Sequence, residues 1–287
     1  MRKALIGLKQ ALIPPILLVV LPTTAMGFLA TGSKDYFLLV ISLVIAALTD
    51  ISANLINNYA DWEIDKSNKK REKMQAVFRR PQLIVLFFAV IYLLFAILNL
   101  IHANDYLALA VVSFILLGVI YSLFVKLKDI FPLNNLSIAL SYGGIAFLIG
   151  FFTATSDFSS LARWFPLILF LIVVDFGYSM TKDYADIFGD ALHSKRTLPV
   201  LFGKKKAVLI QSLLISLAFC FLLIMIFLNR LPLVFALLFV SYAFALYQLR
   251  IIHFTDDRQI HSKMHFYSQV NGLIIRMLMM GIVFSLI

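Results

Sequence analysis

The chain has 287 residues, 62% of them hydrophobic and only 14% charged, and carries a formal net charge of +10. Soluble domains run at roughly 45–50% apolar and about 25% charged, so an ordinary soluble domain is excluded and a membrane protein is indicated. The basic residues fall between long apolar stretches, which fits membrane loops and argues against nucleic acid as a partner, and a lone Cys220 excludes an internal disulfide or a multi-cysteine metal site.

A membrane-crossing helix needs about 20 mostly apolar residues. The first candidate is 11–30, preceded by a basic start, MRKALIGLKQ; with no small-residue cleavage site leading into a soluble domain, it reads as a retained first span rather than a signal peptide. The others centre on 36–58, 82–102, 105–125, 134–154, 163–183, 206–228, 231–250 and 267–287. The expectation is a single all-α integral membrane domain over 1–287, with nine transmembrane helices around a central cavity.

Lys and Arg set the orientation. The N-terminus and the loops after even-numbered spans hold 21 basic residues, against three on the other side, with Arg276 inside the ninth span. The excess predicts a multi-pass protein with its N-terminus in the cytoplasm and its C-terminus opposite.

The second span ends in NLINNYADWEID. Asn57, Asp61 and Asp65 stand four apart, so a helix would put them on one face, with Asn54 one turn earlier. The sixth ends in KDYADIFGD, where Asp183, Asp186 and Asp190 follow i, i+3, i+7. Both clusters close an even-numbered span on the predicted cytoplasmic side, as in a weak internal duplication. A single such cluster is read most simply as loop carboxylates paired with nearby Lys and Arg. Two of matched polarity and spacing favour a shared hard cation, and Mg²⁺ is bound by one or two carboxylates completed by substrate phosphates.

At these residues the chain resembles the UbiA superfamily of intramembrane prenyltransferases. Asn57, Asp61 and Asp65 fit the family's N-x-x-x-D-x-x-x-D motif, and Asp183, Asp186 and Asp190 its D-x-x-D-x-x-x-D motif. KRTLPVLFGKKKA (195–207) and Tyr121-Ser122 followed by Lys126 and Lys128 are similar to further family segments. The resemblance implies an isoprenoid diphosphate donor, a small aromatic or lipid acceptor, contact with membrane lipid, and Mg²⁺ held by Asn57, Asp61, Asp65, Asp183, Asp186 and Asp190. It implies that Lys126, Lys128 and Arg71 touch the diphosphate, with Asn54, Asn57, Asn58, Tyr178 and Lys182 as further substrate-binding candidates. Aromatic faces, Tyr121 among them, would stabilise the allylic cation. Two departures bear on the acceptor. Asn58 stands where many members carry Asp, and the basic loop reads NKKREKMQAVFRRPQ with Arg80-Pro81 displaced. TLPV leans slightly towards members with homogentisate, chlorophyllide or geranylgeranylglyceryl phosphate acceptors.

Charged groups in a span cost about 2.5–3.5 kcal/mol at its centre and are generally functional or paired. Asp50 and Asp175 lie 11 and 8 residues before Asp61 and Asp183, roughly 12–17 Å deeper along a helix. They are catalytic candidates for orienting or deprotonating an acceptor; the alternative is a structural hydrogen bond to a neighbouring helix. Arg276 is expected to be structural, snorkelling or pairing with one of them. His261 and His265 are expected in a solvated loop, GGIAFLIG (143–150) in a close helix contact, and Tyr59, Tyr121, Tyr178 and Tyr184 near the cavity. Two rival functions remain at this point: a membrane terpene cyclase of the same family with no external acceptor, and a transporter built on Asp50, Asp175 and Arg276.

Overall fold

The computed structural model describes residues 17–60, 104–255 and 257–286, and no β-sheet occurs among them. Its helices are α1 (Leu17–Leu29), α2 (Tyr36–Ala60), α3 (Asp105–Phe124), α4 (Leu133–Ala154), α5 (Phe158–Ala185), the short α6 (Ile187–Leu192) and α7 (Leu198–Phe202), then α8 (Lys204–Phe227), α9 (Leu233–Phe254) and α10 (Asp257–Ser285). Six of them, α2, α3, α4, α5, α8 and α9, are long and apolar enough to cross a membrane, and two shorter apolar helices cover Leu18–Leu29 and Val270–Ser285. These correspond to eight of the expected spans; the one at 82–102 lies outside the described residues. The last helix starts earlier than expected, so His261 and His265 lie on helical backbone instead of in a loop.

Polar caps set the starts. Asp35 Oδ1 accepts from the backbone N–H groups of Phe37 and Leu38 at the head of α2. Asn104 caps α3 by accepting from the Tyr106 N–H at 2.9 Å, and its amide donates to Phe152 and Thr155 carbonyls at the end of α4. Such caps satisfy orphan backbone groups that an apolar medium would leave costly.

Two spans contain a wide π turn, Ile120–Phe124 ending α3 and Leu140–Ile145 within α4. In α5 the α-helix stops at Ser179 and tightens to 3₁₀ geometry over Met180–Ala185.

Lipid supplies little hydrophobic drive between helices, so close packing and buried polar bonds hold such bundles together. GGIAFLIG does so here. A Cβ on Gly150 would overlap the Thr24 carbonyl of α1, and one on Gly143 would lie 2.8–2.9 Å from Leu171 and Asp175 of α5. Gly27 of α1 is equally tight against the Phe147 carbonyl. Deeper in the bundle Phe170 meets Phe219 edge-to-face at 5.5 Å. Leu209, Leu213 and Leu217 of α8 and Leu109 of α3 face outwards, as lipid contact requires.

Candidate active site

A cavity of about 350 Å³ lies between α2, α3, α4, α5 and α10, closed on one side by Val19 of α1. Phe114, Leu117 and Ile138 line its apolar body, and its polar groups gather at two ends.

At one end, the last turns of α2, α3 and α5 converge. Asn57 Oδ1 accepts from Ser122 Oγ at 3.3 Å and from Lys128 Nζ at 3.4 Å. Opposite, Lys182 Nζ donates to the Tyr121 hydroxyl at 3.2 Å and sits 5.8 Å from the centre of that ring. Local geometry explains the convergence. The π turn at the end of α3 carries Tyr121 and Ser122, and Lys126 takes a left-handed backbone (φ 52°) that turns the chain so that Lys128 is buried. Lys126 itself is exposed and is not among the cavity-lining residues.

At the other end, Arg276 of α10 is fully buried. Its guanidinium donates to Asp175 Oδ2 at 2.5 Å, Thr23 Oγ1 at 2.7 Å and the Gly272 carbonyl at 3.2 Å, joining α10, α5 and α1. Arg276 and Asp175 both line the cavity, with Tyr142 and Tyr178 beside them. Asp175 is thus a paired carboxylate, and Arg276 pairs as expected.

Asp50 differs from the expectation. It is fully buried but does not reach the cavity wall. Tyr142 and Asn54, which do line the cavity, are its polar neighbours, yet neither carboxylate oxygen receives a hydrogen bond of normal geometry. The Asn54 amide donates to the Asp50 backbone carbonyl at 3.0 Å.

The second acidic motif also differs. Asp183 lies on the 3₁₀ segment, Asp186 at the break (φ −111°, ψ 4°) and Asp190 in α6, so the three are not on one continuous α-helical face. Asp183 and Asp190 are buried and Asp186 half-buried, and none lines the cavity. Asp183 accepts from the amides of Asn134 and Asn135; Asp190 pairs with Lys195 at 3.4 Å. Asp186 and Asp190 stand close enough to Asp183 for their charges to interact. Among the described residues no three His, Cys, Asp or Glu side chains gather closely enough to hold a metal. Asp61, Asp65 and Arg71 lie outside the described residues, as do the side chains of Asn58 and Tyr59. The donor chemistry nevertheless fits a hard cation: beside Asp183, the buried carbonyl oxygens of Asn134 and Asn135 meet no donor.

Sequence reasoning named Ser122 only as part of a family-like segment, and missed Asn134, Asn135, Ser179 and Tyr142. The signal available was polarity in apolar surroundings, above all two adjacent Asn residues at the start of a span. Tyr184 is buried but lines no part of the cavity.

Helices long and apolar enough to cross a membrane thus enclose a cavity with an apolar body and with Lys, Asn, Tyr and Ser at one end, beside an acidic motif. Residues 19–270 match the UbiA prenyltransferase family, and the chain belongs to that family of prenyl-transferring enzymes. Among relatives, it is 29% identical over 196 residues to digeranylgeranylglyceryl phosphate synthase of Methanothrix thermoacetophila, covering 67% of this chain and 70% of that one. It is 27% identical over 168 residues to the bacteriochlorophyll synthase 34 kDa chain of Chloroflexus aurantiacus, covering 54% and 49%. The fold is similar to that of a solved digeranylgeranylglyceryl phosphate synthase (TM-score 0.71, 18% identity, 99% of this chain and 100% of that one). It is also similar to a UbiA homologue from Archaeoglobus fulgidus bound to DMAPP and Mg²⁺ (TM-score 0.64, 16% identity, 97% and 99%).

Proposed function

We propose that this protein transfers a prenyl group from an isoprenoid diphosphate to a lipid-pathway acceptor with Mg²⁺, releasing diphosphate. The carrying observation is the cavity with Lys182, Tyr121, Asn57 and Ser122 at one end of an apolar body. In this reading Lys182, Lys128 and Asn57 hold the diphosphate by charge-assisted hydrogen bonds, helped by Lys126, Arg71, Asn54 and Asn58. The apolar body takes the first isoprene units and excludes water. Tyr121, beside Lys182 at the diphosphate end, offers its ring to the allylic carbon as its C–O bond breaks, and Tyr142 and Tyr178 line the cavity further along the prenyl chain. The acceptor then bonds to that carbon and gives up a proton. Asp183, Asp186 and Asp190, together with Asn57, Asp61 and Asp65, would hold Mg²⁺, which when bound would supply positive charge against the growing charge of the leaving diphosphate.

Of the two acceptor classes, relatives named digeranylgeranylglyceryl phosphate synthase favour a glycerol-phosphate lipid over an aromatic quinone precursor. The reading includes one domain of nine spans over residues 1–287, the N-terminus in the cytoplasm, the C-terminus opposite and the diphosphate site on the cytoplasmic side. The test is incubation of purified protein with diphosphates of several chain lengths, with and without a prenylglyceryl phosphate or an aromatic acid. Product formed only with donor, glycerol-phosphate acceptor and Mg²⁺ together supports the reading. Terpene hydrocarbon or alcohol at full rate from donor alone replaces it with a cyclase, and no consumption of any diphosphate removes it.

A further inference from the structure

The segment between α3 and α4 touches both acidic regions. Lys128 donates to Asn57. Asp129 and Asp190 share Lys195, at 3.8 and 3.4 Å. Asn134 and Asn135, in the first turn of α4, donate to the same carboxylate oxygen, Asp183 Oδ2, at 3.3 and 3.4 Å. Asn135 also donates to Ser179 Oγ at 3.1 Å.

Two amides on one oxygen differ from an ordinary helix tie. A carboxylate turns easily about its last bond, whose energy profile is broad and nearly two-fold. Two donors on Oδ2 break that symmetry and fix which oxygen points away from α4. The remaining atoms of this corner are acceptors. Asn134 and Asn135 are almost completely buried, and their carbonyl oxygens meet no donor. Such acceptors are costly unless something electropositive answers them.

We propose that Asn134 and Asn135 are positioning residues for the cation site: by holding Asp183 through Oδ2 they present Oδ1 to a divalent metal. The inference rests on the reading that the second acidic motif binds metal with diphosphate. Partners that orient a ligand set metal affinity without touching the metal, and their loss typically costs about 10–100-fold.

The experiment titrates Mn²⁺, followed by electron paramagnetic resonance, into the purified full chain with saturating inorganic pyrophosphate. Asn134→Leu and Asn135→Leu keep the branched outline of the side chain, and each removes its own amide donor to Asp183. Each is expected to weaken Mn²⁺ binding about tenfold, and Asn135→Gln, which keeps a donor, to fall between Asn135→Leu and wild type. In turnover the midpoint of Mg²⁺ activation should move by a similar factor while the rate at saturating Mg²⁺ recovers. If a Leu variant fails to fold, the Ala variant takes its place, with metal-free thermal unfolding confirming the fold. Variants that lose thermal stability but bind Mn²⁺ within twofold of wild type overturn the proposal and leave the asparagines as helix ties. Wild type that binds no Mn²⁺ overturns both the proposal and the metal reading beneath it.

Discussion

Replacing Arg276 by Met removes the cation bonded to Asp175, and the consequence follows from the burial of the pair. The two side chains are 0% and 7% exposed and meet at 2.5 Å on the cavity wall, so bulk water replaces the lost partner poorly. Breaking a buried pair from one side costs about 3–5 kcal/mol, because the remaining charge stays buried without compensation. Arg276→Met also frees Thr23 Oγ1 and the Gly272 carbonyl, so its cost should sit at the upper end. Asp175→Asn leaves the guanidinium with those two neutral acceptors and should cost about 3 kcal/mol. The double variant carries no buried charge, and replacing a whole buried pair by neutral groups is often close to neutral. Its cost should therefore fall well below the sum of the singles, with a coupling of about 3 kcal/mol or more. Equilibrium unfolding in mixed micelles of increasing SDS content, on all four proteins, measures it. Single costs that add to within about 0.5 kcal/mol would refute the argument and mean that the pair is solvated or that each residue has another partner.

Asp186→Ala should abolish turnover while the folded protein stays in the membrane, and chelating Mg²⁺ should weaken donor binding as well as rate; near-normal turnover of Asp186→Ala at limiting Mg²⁺ would remove the carboxylate from the site. Asp50→Asn should leave donor affinity almost unchanged but lower product or shift it towards alcohols from water capture, as read by isothermal binding and product chromatography; wild-type products at wild-type rates would make Asp50 purely structural. Gly150→Ala drives a methyl into the Thr24 carbonyl, so α1 and α4 must separate, at about 1–3 kcal/mol; the same SDS unfolding assay checks it, and an unchanged midpoint would contradict the close approach.

Apolar run length made the spans legible, because length and hydropathy are what a bilayer selects. For α4 the expected 134–154 and the observed Leu133–Ala154 differ by one residue. Asn57, Tyr121, Tyr178 and Lys182 were legible as polar or aromatic groups beside motifs at span ends, and all four line the cavity. The helical face assumed for Asp183, Asp186 and Asp190 was not, because hydropathy does not register the change from α to 3₁₀ geometry after Ser179. Pairing was legible only as a possibility. Arg276 and Asp175 are 101 residues apart, and only packing selects Asp175 over Asp50 as the partner. Asn134 and Asn135 escaped notice because amides carry no charge and fit no metal motif, although their bonds reach across to Asp183.

The Arg276 link has a consequence for how the protein is made. Asp175 leaves the ribosome 101 residues before Arg276, and Thr23 precedes it by 253. At about 5–20 residues per second, α5 waits roughly 5–20 s for its counter-charge. During that interval the acid, costing about 2.5–3.5 kcal/mol at a helix centre, is carried into the membrane by the unbroken apolar run at 165–174. The ordering is asymmetric: α1 and α5 are made before α10, so the arginine arrives after both, onto a waiting acceptor. Chains truncated before residue 276 should therefore persist as inserted but unlatched bundles, with Asp175 left without its guanidinium partner.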